Sequence, residues 1–259
     1  MFAFSLIDTA YHISSKRTND QDQRIRTLKV ALKTCRYCLD SNQVELALKV
    51  LERCSARISD IEDAEPVVQL AQNPVDENVD GRLTLKRIVC EYYLLRTAHA
   101  WKTERLDVAS HFCTKADHDV LAQSPDLTEK ATDLFHKIGK SLAINGTTGP
   151  AMEWCERTIQ TLDDCSSEDL SLDAVELRLP VTATLVETLL ARGDESSYQR
   201  AVTLIQQLEE VFGLGNRIAV SLLQFKTLTH KQPVDVERMS GVLRHMIRLA
   251  VLTDQSFKT

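Results

Sequence analysis

The cysteines and histidines, seven of each, are the side chains of this sequence with the most chemistry to offer. Cys35 and Cys38 have the C-x-x-C spacing of a redox pair or of half a zinc site, with Cys54 the nearest third ligand. A redox pair normally opens a helix after a strand, but this one lies inside LKVALKTCRYCLD, and no second tight pair follows. The cysteines at 35, 38, 54, 90, 113, 155 and 165 are odd in number and irregular in spacing. That pattern fits small buried hydrophobes in a reducing compartment better than a disulfide framework. His111 and His118 are seven apart, and with Asp117 and Asp119 they have ligand types for a metal; the run KADHDV reads more simply as a solvated helix end. His99 falls within a packing helix as a polar face or satisfied core residue.

No HExxH, GxSxG, glycine-rich phosphate loop or paired carboxylate motif occurs. The sequence therefore predicts no enzyme, no cofactor, no small-molecule substrate and no metal site. A basic segment, Arg238, Arg244, His245 and Arg248, lies on VERMSGVLRHMIRLA. Arg244 and Arg248 are four apart and align on one helical face, where they are the candidate contact for an acidic partner segment or for DNA phosphate; solvent-facing decoration is the plainer reading.

The elements that must carry these residues follow from composition and periodicity. Among 259 residues, 37 acids against 31 bases give a formal charge of -6, which leaves no cationic footprint for displacing phosphate counterions, so direct DNA binding is not expected. No run of eighteen apolar residues occurs, so no membrane-spanning helix is expected, and MFAFSLID lacks the basic flank of an export signal. Eight glycines and six prolines argue against a loop-rich β architecture. Helical spacing recurs over residues 23–39, 44–54, 83–101, 105–120, 127–144, 150–162, 174–192, 198–211, 218–229 and 235–252. Strand-type alternation is never sustained, which predicts about ten helices and no sheet. Residues 60–80 hold seven acids, no base, Pro66 and Pro74, and read as an acidic connection between helical hairpins.

Repetition within the helix pairs sets the expected architecture. A tetratricopeptide unit places small residues where two helices cross and bulky ones on either side. The best match is Phe135, Ile138, Gly139, Leu142, Ala151, Cys155 and Thr158. Gly139 is telling, because glycine inside a helix costs roughly 1 kcal/mol relative to alanine, and a close crossing would offset that. Weaker units begin at Ala31 and Tyr93, the latter with Arg96 where an apolar residue belongs, and a later one aligns Ala201, Ile205 and Leu208. The alanine positions fall at 47, 109, 151 and 201, so the repeats are degenerate and joined by long connections. The fold class predicted is all-α: a tetratricopeptide-like α-solenoid of antiparallel helix pairs in a right-handed superhelix, one domain over 1–259.

Particular stretches resemble a known family. RTAHAWKTERLDVASHFCTKAD, LTEKATDLFHKIGKSLA with AMEWCERTIQTLDD, LSLDAVELRLPVTATLVETLLARGDESS and VLRHMIRLAVLTDQSFK, in this order over about residues 85–259, resemble the meiotic sporulation-22/zipper-4 family of tetratricopeptide scaffold proteins. The family-like part of the domain is 81–259. The resemblance implies a nuclear, chromosome-associated scaffold of meiotic prophase that supports synaptonemal complex assembly and crossover recombination. It implies meiotic chromosome-axis or synapsis proteins as partners and no catalytic residues. Members of that family are much longer, so the chain is expected to be a fragment or a short member. The alternative from the same fold class is a general tetratricopeptide adaptor in a ubiquitin-ligase or transcriptional assembly.

Overall fold

A computed structural model describes residues 21–68, 77–212, 217–230 and 234–256. Among the described residues there are twelve helices and no strand. They fall into two compact units, Met1–Leu127 and Thr128–Thr259.

The first unit holds α1 (Gln21–Asp40), α2 (Val44–Val68), α3 (Glu77–Lys102), α4 (Leu106–Cys113) and α5 (His118–Ala122). Leu28, Leu32, Cys35, Val50, Leu51 and Cys54 interlock α1 with α2 and are shielded from solvent almost completely. From α3, Ile88, Tyr92 and Leu95 close the same core. Consecutive helices joined by three residues can bury their apolar stripes only by folding back on each other.

The second unit contains nearly all of α6 (Pro125–Ile144), then α7 (Thr148–Asp163), α8 (Leu172–Glu176), α9 (Arg178–Arg192), α10 (Glu195–Phe212), α11 (Arg217–His230) and α12 (Val236–Ser256). Val181, Leu185, Val186 and Leu189 of α9 form its centre, with Cys155 of α7 and Ala201, Ile205 and Leu208 of α10 packed around them. Packing of successive helix pairs without a sheet is the tetratricopeptide-like arrangement the spacing predicts.

One turn recurs. At the end of α1, Asn42 has φ 57°, Asn42 N–H donates to Leu39 O (3.0 Å), and Gln43 N–H donates to Cys38 O (2.7 Å). After α3 the same pair of bonds runs from Glu104 (φ 60°) to Trp101 O and from Arg105 to Ala100 O. After α6 it runs from Gly146 (φ 76°) to Ala143 O and from Thr147 to Leu142 O. This is the Schellman closure, in which one left-handed residue lets two orphan carbonyls find donors. In each case the repeat alanine follows five residues later, and Ala47, Ala109 and Ala151 are all fully buried. Ala201 is buried too, although the left-handed residue before it, Gly193, stands eight positions back, the extra residues being the Asp194 cap and its serines.

Glycine and asparagine tolerate the left-handed region, but glutamate pays a steric penalty there. Glu104→Gly is therefore expected to stabilise the chain by about 0.5–1 kcal/mol, with urea denaturation as the check. A loss of stability would mean that the side chain at 104 has an important partner.

Two stretches differ from the sequence expectation. α2 continues through the acidic stretch to Val68, and α3 begins at Glu77, so the expected 60–80 connection shrinks from both sides; residues 69–76 lie outside the described residues. Pro66 falls inside α2, two residues before its end. The expected helix over 105–120 is two helices, since the Asp117 side chain accepts from Asp119 N–H (3.0 Å) and Val120 N–H (3.3 Å) and starts α5 anew. Over 174–192, Pro180 within the pattern predicts a kink or a short preceding helix, and α8 is that short helix, with Pro180 in the first turn of α9, where its missing N–H costs nothing. The expected turn at Gly213–Gly215 and the position of Pro233 lie outside the described residues.

Candidate functional site

The residues with most chemical potential are mostly committed to packing. Cys35, Cys38 and Cys54 are buried in the core of the first unit, and the Cys35 thiol points at Ala47 O (3.8 Å) across the α1–α2 crossing. Burial pushes the Cys35 and Cys90 thiols up to about 12 and those of Cys54 and Cys155 up to about 11, far from the thiolate that redox or zinc chemistry needs. Among the described residues no three His, Cys, Asp or Glu side chains stand together in a way that could hold a metal ion. His111 and His118 are both exposed, and Asp117 is spent on the α5 cap. Burial also lowers the His99 pKa, and a hydrogen bond with the backbone of Val44 opposes that shift.

Cys113 is the one cysteine that is not buried. Iodoacetamide at neutral pH is expected to alkylate Cys113 well before the other six thiols, as peptide mass spectrometry would show. Early labelling of Cys35 and Cys38 instead would mean that α1 opens readily.

Arg96 has a role that the repeat pattern left unexplained. Its guanidinium lies 4.5 Å from the Phe112 ring centroid and 6.0 Å from that of Tyr92, so a cation on an aromatic face replaces the expected apolar residue. The α3–α4 pair thus keeps its contact while the charged tip remains partly solvated.

The repeat residues of the best unit come together as follows. Phe135, Ile138, Gly139, Ala151, Cys155 and Thr158 are buried, and Leu142 is half-buried. A Cβ on Gly139 would sit 2.9 Å from Cys155 Sγ and 3.4 Å from Ala151 O, so α6 and α7 cross there as closely as their backbones permit. The Phe135 and Trp154 rings pack on one side of the crossing, with centroids 5.5 Å apart. These positions pack α6 against α7.

A surface with binding character lies in the second unit. α10 and α12 flank α11, and the groove between them encloses about 190 Å³. Val202 and Ile205 of α10, Leu228 of α11 and Val242 of α12 give it an apolar floor. Gln206, Glu209 and Gln224 stand at its polar side, where the Gln224 amide donates to the Glu209 carboxylate. Arg238 completes the rim; it is exposed, and its guanidinium has no acidic partner among the described residues. The amphipathic spacing placed each of these side chains on a helix, but only the packing of three helices brings them together.

Arg244 and Arg248 are exposed on α12 and line no part of this groove; Arg244 Nε donates to Ser240 O of its own helix (3.1 Å). Arg238 and Val242, four apart, turn one side of α12 inward. Leu243 and Ile247 are exposed beside the two outer arginines.

Residues 99–259 match the family described as Meiosis protein SPO22/ZIP4 like, which covers more than half of the chain. No curated protein and no solved structure matches it.

Proposed function

We propose, because this chain belongs to the SPO22/ZIP4-like family of meiosis proteins, that it is a non-enzymatic scaffold holding other proteins on meiotic chromosomes. The tetratricopeptide-like helix pairs support a protein-interaction role, since stacked hairpins expose long helical faces and grooves while sharing a core. Its place is the nucleus, on chromosomes in meiotic prophase, and its partners are axis or synapsis proteins whose assembly leads to the synaptonemal complex and to crossovers. The family match over residues 99–259 is the observation that carries this reading. The groove of the second unit is the first candidate for holding a partner, and the outer strip of Arg244 and Arg248 is the second.

The test is co-purification of the tagged chain from cells entering meiosis, alongside the same cells in vegetative growth. Recovery of synapsis or axis proteins from the meiotic cells alone is expected. Recovery of a ubiquitin-ligase or transcriptional assembly from both would replace this reading with that of a general adaptor.

A further inference from the structure

Between Gln23 and Leu39 the sequence holds five cations and no acid, in a chain whose acids outnumber its bases. Asp22 and Asp40 flank this stretch, one beyond each end. The α1 helix turns Ile25, Leu28, Leu32, Cys35 and Leu39 into the core it shares with α2 and α3, so its opposite side faces solvent. Two of the five cations are withdrawn from that side: Arg36 holds Glu91 of α3 at 2.8 Å, and Arg24 is half-buried. The other three, Arg26, Lys29 and Lys33, are exposed, and none of them forms an ion pair among the described residues. Val30 and Tyr37, 51% and 73% exposed, stand on the same outward face, each four residues beyond one of these cations.

A solvated helix face ordinarily mixes signs, because opposite charges three or four apart support a helix and like charges at those spacings weaken it. The exposed side of α2 does this, with Glu45 and Glu52 beside Lys49 and Arg53. On α1, Arg26 with Lys29 and Lys29 with Lys33 are like pairs, and the last turn, where a cation would complement the helix dipole, has none. The row therefore weakens the free helix, and a facing row of carboxylates would relieve it. We infer that the outward face of α1 docks an acidic helix of another protein, with carboxylates on Arg26, Lys29 and Lys33 and one apolar side chain between Val30 and Tyr37. The cations climb α1 by about 5 Å a step, the rise that carboxylates three and four apart have on a partner helix. Local charge selects this occupant. The net charge of -6 is spread over the whole chain, and at physiological ionic strength charges beyond about 8 Å are largely screened. A second copy meeting this face with its own would set cations against cations. Three cations make a small footprint for DNA, and phosphates gain nothing from Val30. Because α1 lies outside residues 99–259, the inference goes beyond the family match and does not depend on the meiotic reading.

Fluorescence anisotropy with the full chain tests this. The probe is a labelled, end-blocked, alanine-based peptide of about eighteen residues, long enough to be helical in water, with glutamates three and four apart down one face and a leucine beside them. Control peptides replace the glutamates by glutamines, replace the leucine by alanine, or scatter the same glutamates around the helix. Saturable binding is expected for the probe, weaker by about tenfold or more with glutamines and by about threefold for the other two controls. Higher salt should weaken it further. Arg26→Glu, Lys29→Glu and Lys33→Glu together should abolish binding with the circular dichroism spectrum unchanged, since all three side chains are exposed. Lys29→Arg with Lys33→Arg should retain it, and Arg244→Glu with Arg248→Glu should leave it intact. Lys29→Glu alone separates docking from folding. It should weaken binding by about threefold to tenfold and raise the urea midpoint of the free chain, because it turns two like pairs into opposite ones.

Absence of binding, equal binding of the glutamine or scattered peptide, or equal binding by the triple variant and the unaltered chain would overturn the inference. So would displacement of the probe by a DNA duplex, which would mark a phosphate surface, or a concentration-dependent dimer that the triple variant dissolves. A Lys29→Glu chain that lost stability along with binding would assign the cations to folding instead. The scaffold reading fails by a different observation, the absence of synapsis and axis proteins from meiotic preparations. Those proteins can be recovered with a chain that binds no acidic helix, or be absent from one that does, so each result stands by itself.

Discussion

Gly139→Leu is expected to destabilise the second unit by about 3 kcal/mol or more, a large fraction of the roughly 5–15 kcal/mol that holds a domain folded. Only one atom's width separates α6 from α7 at this point. The first carbon of any side chain meets Cys155 Sγ at 2.9 Å, and behind the sulfur stand Ala151 O and Cys155 N, each at 3.4 Å. A sulfur can rotate, but two backbone groups of a packed helix cannot without moving α7 off α9. Leucine therefore forces the helices apart. Alanine is the informative intermediate, because it gains about 1 kcal/mol of helix propensity and loses a comparable amount to the sulfur contact. If the contact sets the limit, Gly139→Ala should become favourable once Cys155→Ala removes the sulfur, giving a coupling of about 1 kcal/mol in a double-mutant cycle read by urea denaturation. Additive effects, or a leucine variant as stable as the parent, would show that the crossing is looser than these distances.

The glycine was legible because sequence spacing and chemistry point the same way there. A helix interior accepts glycine at a cost, and the alanine twelve residues later marks the facing helix. The same argument works for Cys35 and Ala47, which meet across α1 and α2, and it explains why the C-x-x-C pair was more readable as packing than as chemistry. Where residue type and role diverge, the sequence was less informative. Nothing about a glutamate announces a left-handed turn, yet Glu104 closes α3 in the way that Gly146 closes α6. Arg96 broke the expected pattern because its guanidinium needed the Phe112 ring, which lies on the next helix. Asp117 looked like a metal ligand in its run of acids and histidines, but a short acceptor ahead of two free amides is also a helix cap. Of the groove, the sequence showed its pieces only. Arg238 and Val242 could be assigned a shared face, but their nearness to Val202 and Gln206 depends on how α12 seats against α11, a matter of tertiary contact. Arg244 and Arg248, the pair conspicuous in the sequence, stand exposed on α12 outside this groove.

Trp154→Ala should cost the second unit about 3–5 kcal/mol, the range for truncating a fully buried large aromatic residue. Trp154 is the largest completely enclosed side chain among the described residues, with 1% of its surface exposed. On one side its ring packs against Phe135 of α6. On the other, the Arg157 guanidinium lies 4.9 Å from the ring centroid, and Arg157 Nη1 is buried with no hydrogen-bond partner among the described residues. The indole face therefore does two things: it fills the α6–α7 interface, and it is the favourable neighbour of a half-buried cation. Two further variants separate these roles. Phenylalanine keeps an aromatic face and loses volume, whereas leucine restores apolar bulk and removes the face. Stability in the order parent, phenylalanine, leucine, alanine is expected, with the step between phenylalanine and leucine cancelled when Arg157 is replaced by methionine. A step that survived this replacement would assign the whole effect to shape. The readout is selective because each variant leaves Trp101 as the remaining tryptophan, in the first unit, while far-UV circular dichroism follows all helices.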